Sequence, residues 1–125
     1  MVVGIGLLAA GCGSGGTLSA KALSQESSNV QSLAAEGAML ARDSAAGKTT
    51  SVFTRVHSEY LQKAASKSAT TLQSATTTPA LRPKLRRTAR VATQVSSELE
   101  QLGHASTEEQ QRLARELERN AKALA

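Results

Sequence analysis

Apolar and small residues in this chain recur at alternating steps of three and four residues, which is the spacing of one face of an α-helix. The clearest series places seven members on one face: Leu81, Leu85, Thr88, Ala92, Val95, Leu99 and Leu102. No segment has the strict alternation of apolar and polar residues that is typical of a half-buried β-strand. The sequence therefore predicts an all-α protein.

Residues that end and begin helices divide the sequence into four helical segments. Gly47 and Gly103 each follow a segment, at the position just beyond a helix C-terminus where Gly is favoured. Ser106 and Glu109 have the spacing of a capping box, in which each side chain binds the backbone amide of the other residue. We therefore expect the last helix to begin at Ser106.

The start of the third helix is ambiguous, because Pro79 and Pro83 both suit the first turn of a helix. The helix begins either at Pro79, with a kink, or at Pro83. Overall, we predict helices at about residues 18–46, 51–75, 80–102 and 106–124. Short connections force neighbouring helices to run antiparallel, so residues 18–125 are predicted to form an up-down-up-down four-helix bundle.

The composition predicts a thin hydrophobic core. Apolar residues make up 40% of the chain, but aromatic residues only 2%, and much of the apolar fraction is Ala. Gly37 lies on the apolar stripe of the first helix, where it would let another helix approach closely. On the second helix we predict one broad buried face: Phe53, Val56, Tyr60, Leu61, Ala64, Leu72 and Ala75.

His57 falls within that predicted face and could be a metal ligand, a proton carrier or a residue at the boundary of the core. Metal sites in helical bundles collect several carboxylates and histidines, often as Glu-x-x-His units, and this chain has no such unit. No nucleophile with a recognisable partner base is apparent either. We therefore expect no metal, no cofactor and no enzyme activity. A helical enzyme or metal carrier that uses His57 is the disfavoured alternative.

The strongest local charge feature is a group of five basic residues with no acidic residue among them: Arg82, Lys84, Arg86, Arg87 and Arg90. The chain carries a net charge of +5, and this group supplies much of that excess. Such a surface attracts polyanions, namely acidic phospholipid headgroups, an envelope polymer or nucleic acid. Nucleic acid is the least expected, because no aromatic residues accompany the group. Alternatively, the face is simply solvated and partly neutralised by Glu108, Glu109 and Glu116.

Cys12 is the only cysteine, and it ends the run Leu7-Leu8-Ala9-Ala10-Gly11-Cys12, an apolar stretch that closes on small residues. This segment resembles the lipobox of bacterial lipoprotein precursors. It departs from the family pattern in two places, since no basic residue precedes Lys21 and the usual Leu three positions before the cysteine is Ala9.

The resemblance implies that residues 1–11 are a signal peptide and that the mature chain begins at a lipidated Cys12. Residues 12–17, which are rich in Gly and Ser, would form a flexible tether. No stretch approaches the roughly 20 apolar residues of a spanning helix, so membrane attachment would depend on the anchor.

Two functions are therefore expected from the sequence. The first is a lipid-anchored protein on the extracytoplasmic face of the cell membrane, whose helical bundle is a binding or structural module at the cell envelope. The alternative is a soluble helical protein that binds nucleic acid or another polyanion through the basic third helix. The pattern leaves the oligomeric state open.

Overall fold

The computed structural model describes residues 16–125, which form the predicted all-α four-helix bundle. The helices are α1 (Ala20–Ala45), α2 (Ser51–Ser74), α3 (Arg82–Leu102) and α4 (Thr107–Ala123), and a 3₁₀ turn (Pro79–Leu81) precedes α3. The described residues contain no β-strand, only an isolated bridge between Thr17 and Thr76. The predicted signal peptide, Cys12 and residues 13–15 of the predicted tether lie outside the described residues.

The helices begin and end where the capping residues predict, to within two residues. Thr50 caps α2, since its side-chain oxygen accepts a hydrogen bond from the Phe53 amide at 3.1 Å. Ser106 and Glu109 form the complete capping box of α4. Gly47 follows α1 with a φ of 74°, a left-handed conformation that glycine adopts without strain.

The two proline positions are resolved by the short turn before α3. Pro79 begins the 3₁₀ turn, and Pro83 lies in the first turn of α3, where its missing amide hydrogen costs no helical hydrogen bond. The α-helix therefore starts at Arg82, two residues later than predicted.

The bundle is assembled from two closely packed pairs, since α1 packs mainly along α4 and α2 mainly along α3. Gly37 of α1 is a point of close approach: a Cβ at this position would lie 2.6 Å from Cδ2 of Leu99 and 3.3 Å from Cδ1 of Leu117. The predicted role of Gly37 is confirmed, because the missing side chain makes room for α3 and α4. The largest fully buried side chains are leucines: Leu23, Leu61, Leu72, Leu99, Leu102, Leu113 and Leu117.

The predicted buried face of α2 is wrong in its first half. Phe53, Val56 and Tyr60 are 51%, 57% and 70% exposed, whereas Thr54 and Ser58 are buried. Both hydroxyls donate to carbonyl oxygens of their own helix, at 3.1 Å, so these small polar side chains enter the interior with a hydrogen-bond partner. A pattern of hydrophobicity alone cannot identify such residues.

The exposure of Val56 on α2 leads to a prediction for stability. Val56→Ser is expected to change the free energy of unfolding by no more than about 0.5 kcal/mol, because the side chain is mainly exposed and the two residues have similar helix propensities. The matched substitution Leu61→Ala removes a fully buried side chain and should cost about 3 kcal/mol. Urea denaturation measures both values. If Val56→Ser destabilised the fold as much as Leu61→Ala, Val56 would have to be buried, as the sequence pattern predicts.

Candidate functional site

The N-terminal segment enters the bundle beside the connection between α2 and α3. The Leu18 amide donates to the Thr76 carbonyl at 2.8 Å, and the Thr76 amide donates to the Gly16 carbonyl at 3.1 Å. The Thr77 hydroxyl donates to the Leu18 carbonyl at 2.9 Å. Gly16 and Thr17, which the sequence assigns to the tether, are therefore held against the bundle.

The basic residues of α3 lie at this same end of the bundle. Leu85 and Thr88 are buried, while Arg82, Arg86, Arg87 and Arg90 are exposed. Lys84 is half-buried, and its Nζ donates to the hydroxyl of Ser24 in the first turns of α1 at 3.3 Å. The structure thus keeps all five predicted residues together, within about 12 Å along the helix at 1.5 Å per residue.

Two further exposed lysines extend this positive region onto the neighbouring helices. Lys21 is in the first turn of α1, and Lys67 is in the last two turns of α2. We refer to the seven residues together as the basic surface: Lys21, Lys67, Arg82, Lys84, Arg86, Arg87 and Arg90.

No acidic side chain of the described residues lies within salt-bridge distance of the basic surface. The acidic residues of α4 form ion pairs with other basic residues, such as Glu116 with Arg112 at 2.9 Å and Glu118 with Lys122 at 3.9 Å. Glu109 is engaged in the capping box, and Glu108 lies in the first turn of α4, at the opposite end of the bundle. The alternative that α4 neutralises the predicted group is therefore not supported.

The length of α4 explains this separation. Helix α4 has 17 residues, against 26 for α1, and the last residue, Ala125, borders the same groove as Gln31 and Ala35 near the middle of α1. The half of the bundle nearest Gly16 is consequently built mainly from α1, α2 and α3. The acidic residues of α4 do not reach it.

Charge is distributed unequally along the bundle as a result. Residues 16–32 and 65–92, which form the half nearest Gly16, contain the seven members of the basic surface and one acidic residue, Glu26. Residues 33–64 and 93–125 contain eight basic and nine acidic residues. The net charge of +5 is therefore concentrated in one half, while the other half is close to neutral.

A second exposed feature lies in the half of the bundle far from Gly16. The rings of Phe53 and His57 are stacked with centroids 5.5 Å apart, and those of His57 and Tyr60 are 6.3 Å apart. We refer to these three residues as the aromatic strip. His57 is half-buried beside α1, with Nε2 3.8 Å from Oε2 of Glu36. It lies at the boundary of the core, as one of the sequence-based alternatives predicts.

The described residues contain neither a metal-ion site nor a helix that could cross a membrane. Among residues 16–125, no group of three or more His, Cys, Asp and Glu side chains is arranged to hold a metal ion. None of the helices α1 to α4 has the length and hydropathy that a bilayer-crossing helix requires.

Glu98, which the sequence does not single out, has the most strongly shifted pKa among residues 16–125. Burial raises the pKa of its carboxyl from the ordinary value of 4.5 to about 7. Glu116 adds to the increase, whereas a 2.9 Å hydrogen bond from Asn120 opposes it, as do Arg119 and Arg112. The only sequence signal was position, since Glu98 directly precedes the buried Leu99.

The raised pKa of Glu98 predicts a pH-dependent stability. Because the folded state holds the proton more tightly than the unfolded state, the carboxyl contributes stability below pH 4.5, and this contribution is lost as the pH rises towards 7. Glu98→Gln should therefore be nearly neutral at pH 5. At pH 8 it should stabilise the fold by about 1 kcal/mol, after allowance for solvent screening of a half-exposed group. Urea denaturation measures the free energy of unfolding at both pH values. An equal effect of Glu98→Gln at pH 5 and pH 8 would contradict the prediction.

Comparisons with known proteins provide no functional assignment. No protein-family model, no curated protein and no solved structure matches this chain.

Proposed function

We propose that this protein is a lipid-anchored protein of the extracytoplasmic face of the cell membrane, attached through Cys12. Its helical bundle would then be a binding or structural module at the cell envelope. The observation that carries the proposal is the lone cysteine at the end of the lipobox-like run Leu7–Cys12. Small residues before that cysteine suit a signal peptidase, and a thiol at the new N-terminus is the atom that accepts the lipid.

The position of the N-terminal segment is compatible with such an anchor. Gly16 is hydrogen-bonded at one end of the bundle, so a lipid on Cys12 would hold that end towards the bilayer. The aromatic strip would then lie in the half that faces away from the membrane. Its exposed rings supply apolar area with little loss of conformational entropy, which is useful for a module that binds a partner.

Labelling of growing cells with a fatty acid tests the anchor. The wild-type chain should incorporate the label, and Cys12→Ser should incorporate none, because the chain has no second cysteine. The matched control Ser14→Ala alters the adjacent Gly/Ser run without removing a thiol and should be labelled normally. Equal labelling of the wild type and Cys12→Ser would refute the proposal.

A second candidate function is binding of nucleic acid or another polyanion through α3, and the exposed arginines favour it. However, Phe53 and Tyr60 lie in the other half of the bundle, so the basic surface has no ring on which a base could stack. Nucleic acid binding would appear as a gel shift with a steep dependence on salt. A cytosolic location and no fatty-acid label would favour this second function.

A further inference from the structure

We infer that the basic surface binds anionic phospholipid headgroups and holds the bundle against the membrane at the end where the chain is anchored. This inference rests on the proposed anchor for its orientation. It adds a partner, a negatively charged bilayer surface, and assigns binding to seven residues: Lys21, Lys67, Arg82, Lys84, Arg86, Arg87 and Arg90.

The chain between Cys12 and Gly16 is short. Four peptide units separate Cys12 from Gly16, so their Cα atoms can be no more than about 14 Å apart. Gly16 is hydrogen-bonded to Thr76, and Thr77 is hydrogen-bonded to Leu18, which keeps the connection preceding Arg82 at the same end. A lipid on Cys12 would therefore bring the start of α3 to the bilayer surface.

The positive charge of the basic surface is suited to attraction by anionic headgroups. Attraction of a basic side chain to an anionic bilayer decays within the Debye length, about 10 Å at 0.1 M salt, so only residues close to the surface contribute. Within the described residues, the basic surface has no ion-paired acidic partner, so its charge is available to headgroups. A basic residue far from Gly16, such as Arg55, would be outside this range.

The basic surface also lies on the side of the bundle to which the anchor would be attached. Acyl chains at Cys12 and a polybasic surface near them both contribute to membrane attachment, and together they would fix the orientation of the bundle. The covalent reach from Gly16 would allow the two elements to act together, although Arg82 follows Cys12 by 70 positions in the sequence. The nearly neutral half, which carries the aromatic strip, would remain in solution.

The test uses the full chain carrying Cys12→Ser, so that no lipid contributes to binding. Vesicles of equal parts phosphatidylglycerol and phosphatidylcholine should bind this chain at about 0.1 M salt, and the binding should weaken as salt is added. Vesicles of pure phosphatidylcholine report any insertion of the apolar N-terminal residues, which does not depend on headgroup charge. The measured quantity is the difference in binding affinity of the chain for the two kinds of vesicle.

A matched pair of variants assigns the binding to the basic surface. Replacing Arg82, Arg86, Arg87 and Arg90 with Gln should weaken binding to the anionic vesicles by up to roughly 1,000-fold. The control replaces four exposed residues from the rest of the bundle with Gln: Lys48, Arg55, Arg115 and Arg119. It removes the same charge and should alter binding far less.

Three results would overturn the inference: equal losses in the two variants, no preference for anionic vesicles, or tighter binding to duplex DNA than to vesicles at the same salt concentration. These results are distinguishable from failure of the proposed anchor. Vesicle binding by the Cys12→Ser chain is independent of lipidation, whereas fatty-acid labelling is independent of the basic surface.

Discussion

Replacing Leu99 with Ala is expected to lower the free energy of unfolding by about 3 kcal/mol and the melting temperature by roughly 10 °C. Leu99 is fully buried on α3, and its side chain packs against α1 at Gly37. Eight of the twenty buried core residues among residues 16–125 are Ala, whose short side chains cannot extend into the cavity. Urea and thermal denaturation followed by circular dichroism measure the loss.

A second substitution at Gly37 tests whether this contact is the cause. In the wild type, Gly37→Ala places a Cβ 2.6 Å from Leu99 Cδ2, and the resulting overpacking should outweigh the gain of about 1 kcal/mol in helix propensity. In the Leu99→Ala background the clash is absent, so Gly37→Ala should become stabilising. Additive effects of the two substitutions would show that the helices do not meet at this point.

Substitution of Cys12 is expected to have the largest effect on location. With the lipid attached, the protein should remain in the membrane pellet after washing with about 1 M salt, because such a wash shortens the Debye length to about 3 Å but leaves acyl chains in place. Cys12→Ser should be released by the same wash.

The basic surface provides the internal comparison for this experiment. Before the salt wash, Cys12→Ser should still be partly membrane-associated through the basic surface, and removal of Arg82, Arg86, Arg87 and Arg90 should abolish that fraction. A Cys12→Ser chain that stays in the pellet at high salt would show that attachment does not depend on the thiol.

Local signals in the sequence were sufficient to predict the four helices and their ends. The capping box at Ser106 and Glu109 and the left-handed Gly47 act within a few residues, so the sequence reports them directly. The apolar series on α3 was also confirmed, because six of its members from Leu85 to Leu102 are buried. Such a periodic pattern can be read from the sequence because it arises when one face of a helix is buried.

The face of α2 could not be predicted, because it depends on which neighbour each side chain meets. Thr54 and Ser58 are acceptable in the interior once their hydroxyls bond to their own helix, and this leaves Phe53 and Tyr60 to solvent. Similarly, the raised pKa of Glu98 results from burial in the folded chain, which the hydrogen bond from Asn120, 22 positions away, only partly offsets.

The basic group on α3 was visible in the sequence, but its surroundings were not. The sequence left open that Glu108, Glu109 and Glu116 partly neutralise it. The short α4 instead ends near the middle of α1. The position of Thr76 beside Gly16 then places the basic surface next to the chain that leads to Cys12.

Mass spectrometry of the protein isolated from membranes tests the central claim most directly. The account predicts a mature chain that begins at Cys12, with a diacylglyceryl group on its sulfur and a fatty acid on its amine. An intact chain that retains residues 1–11 and carries an unmodified Cys12 thiol would contradict it.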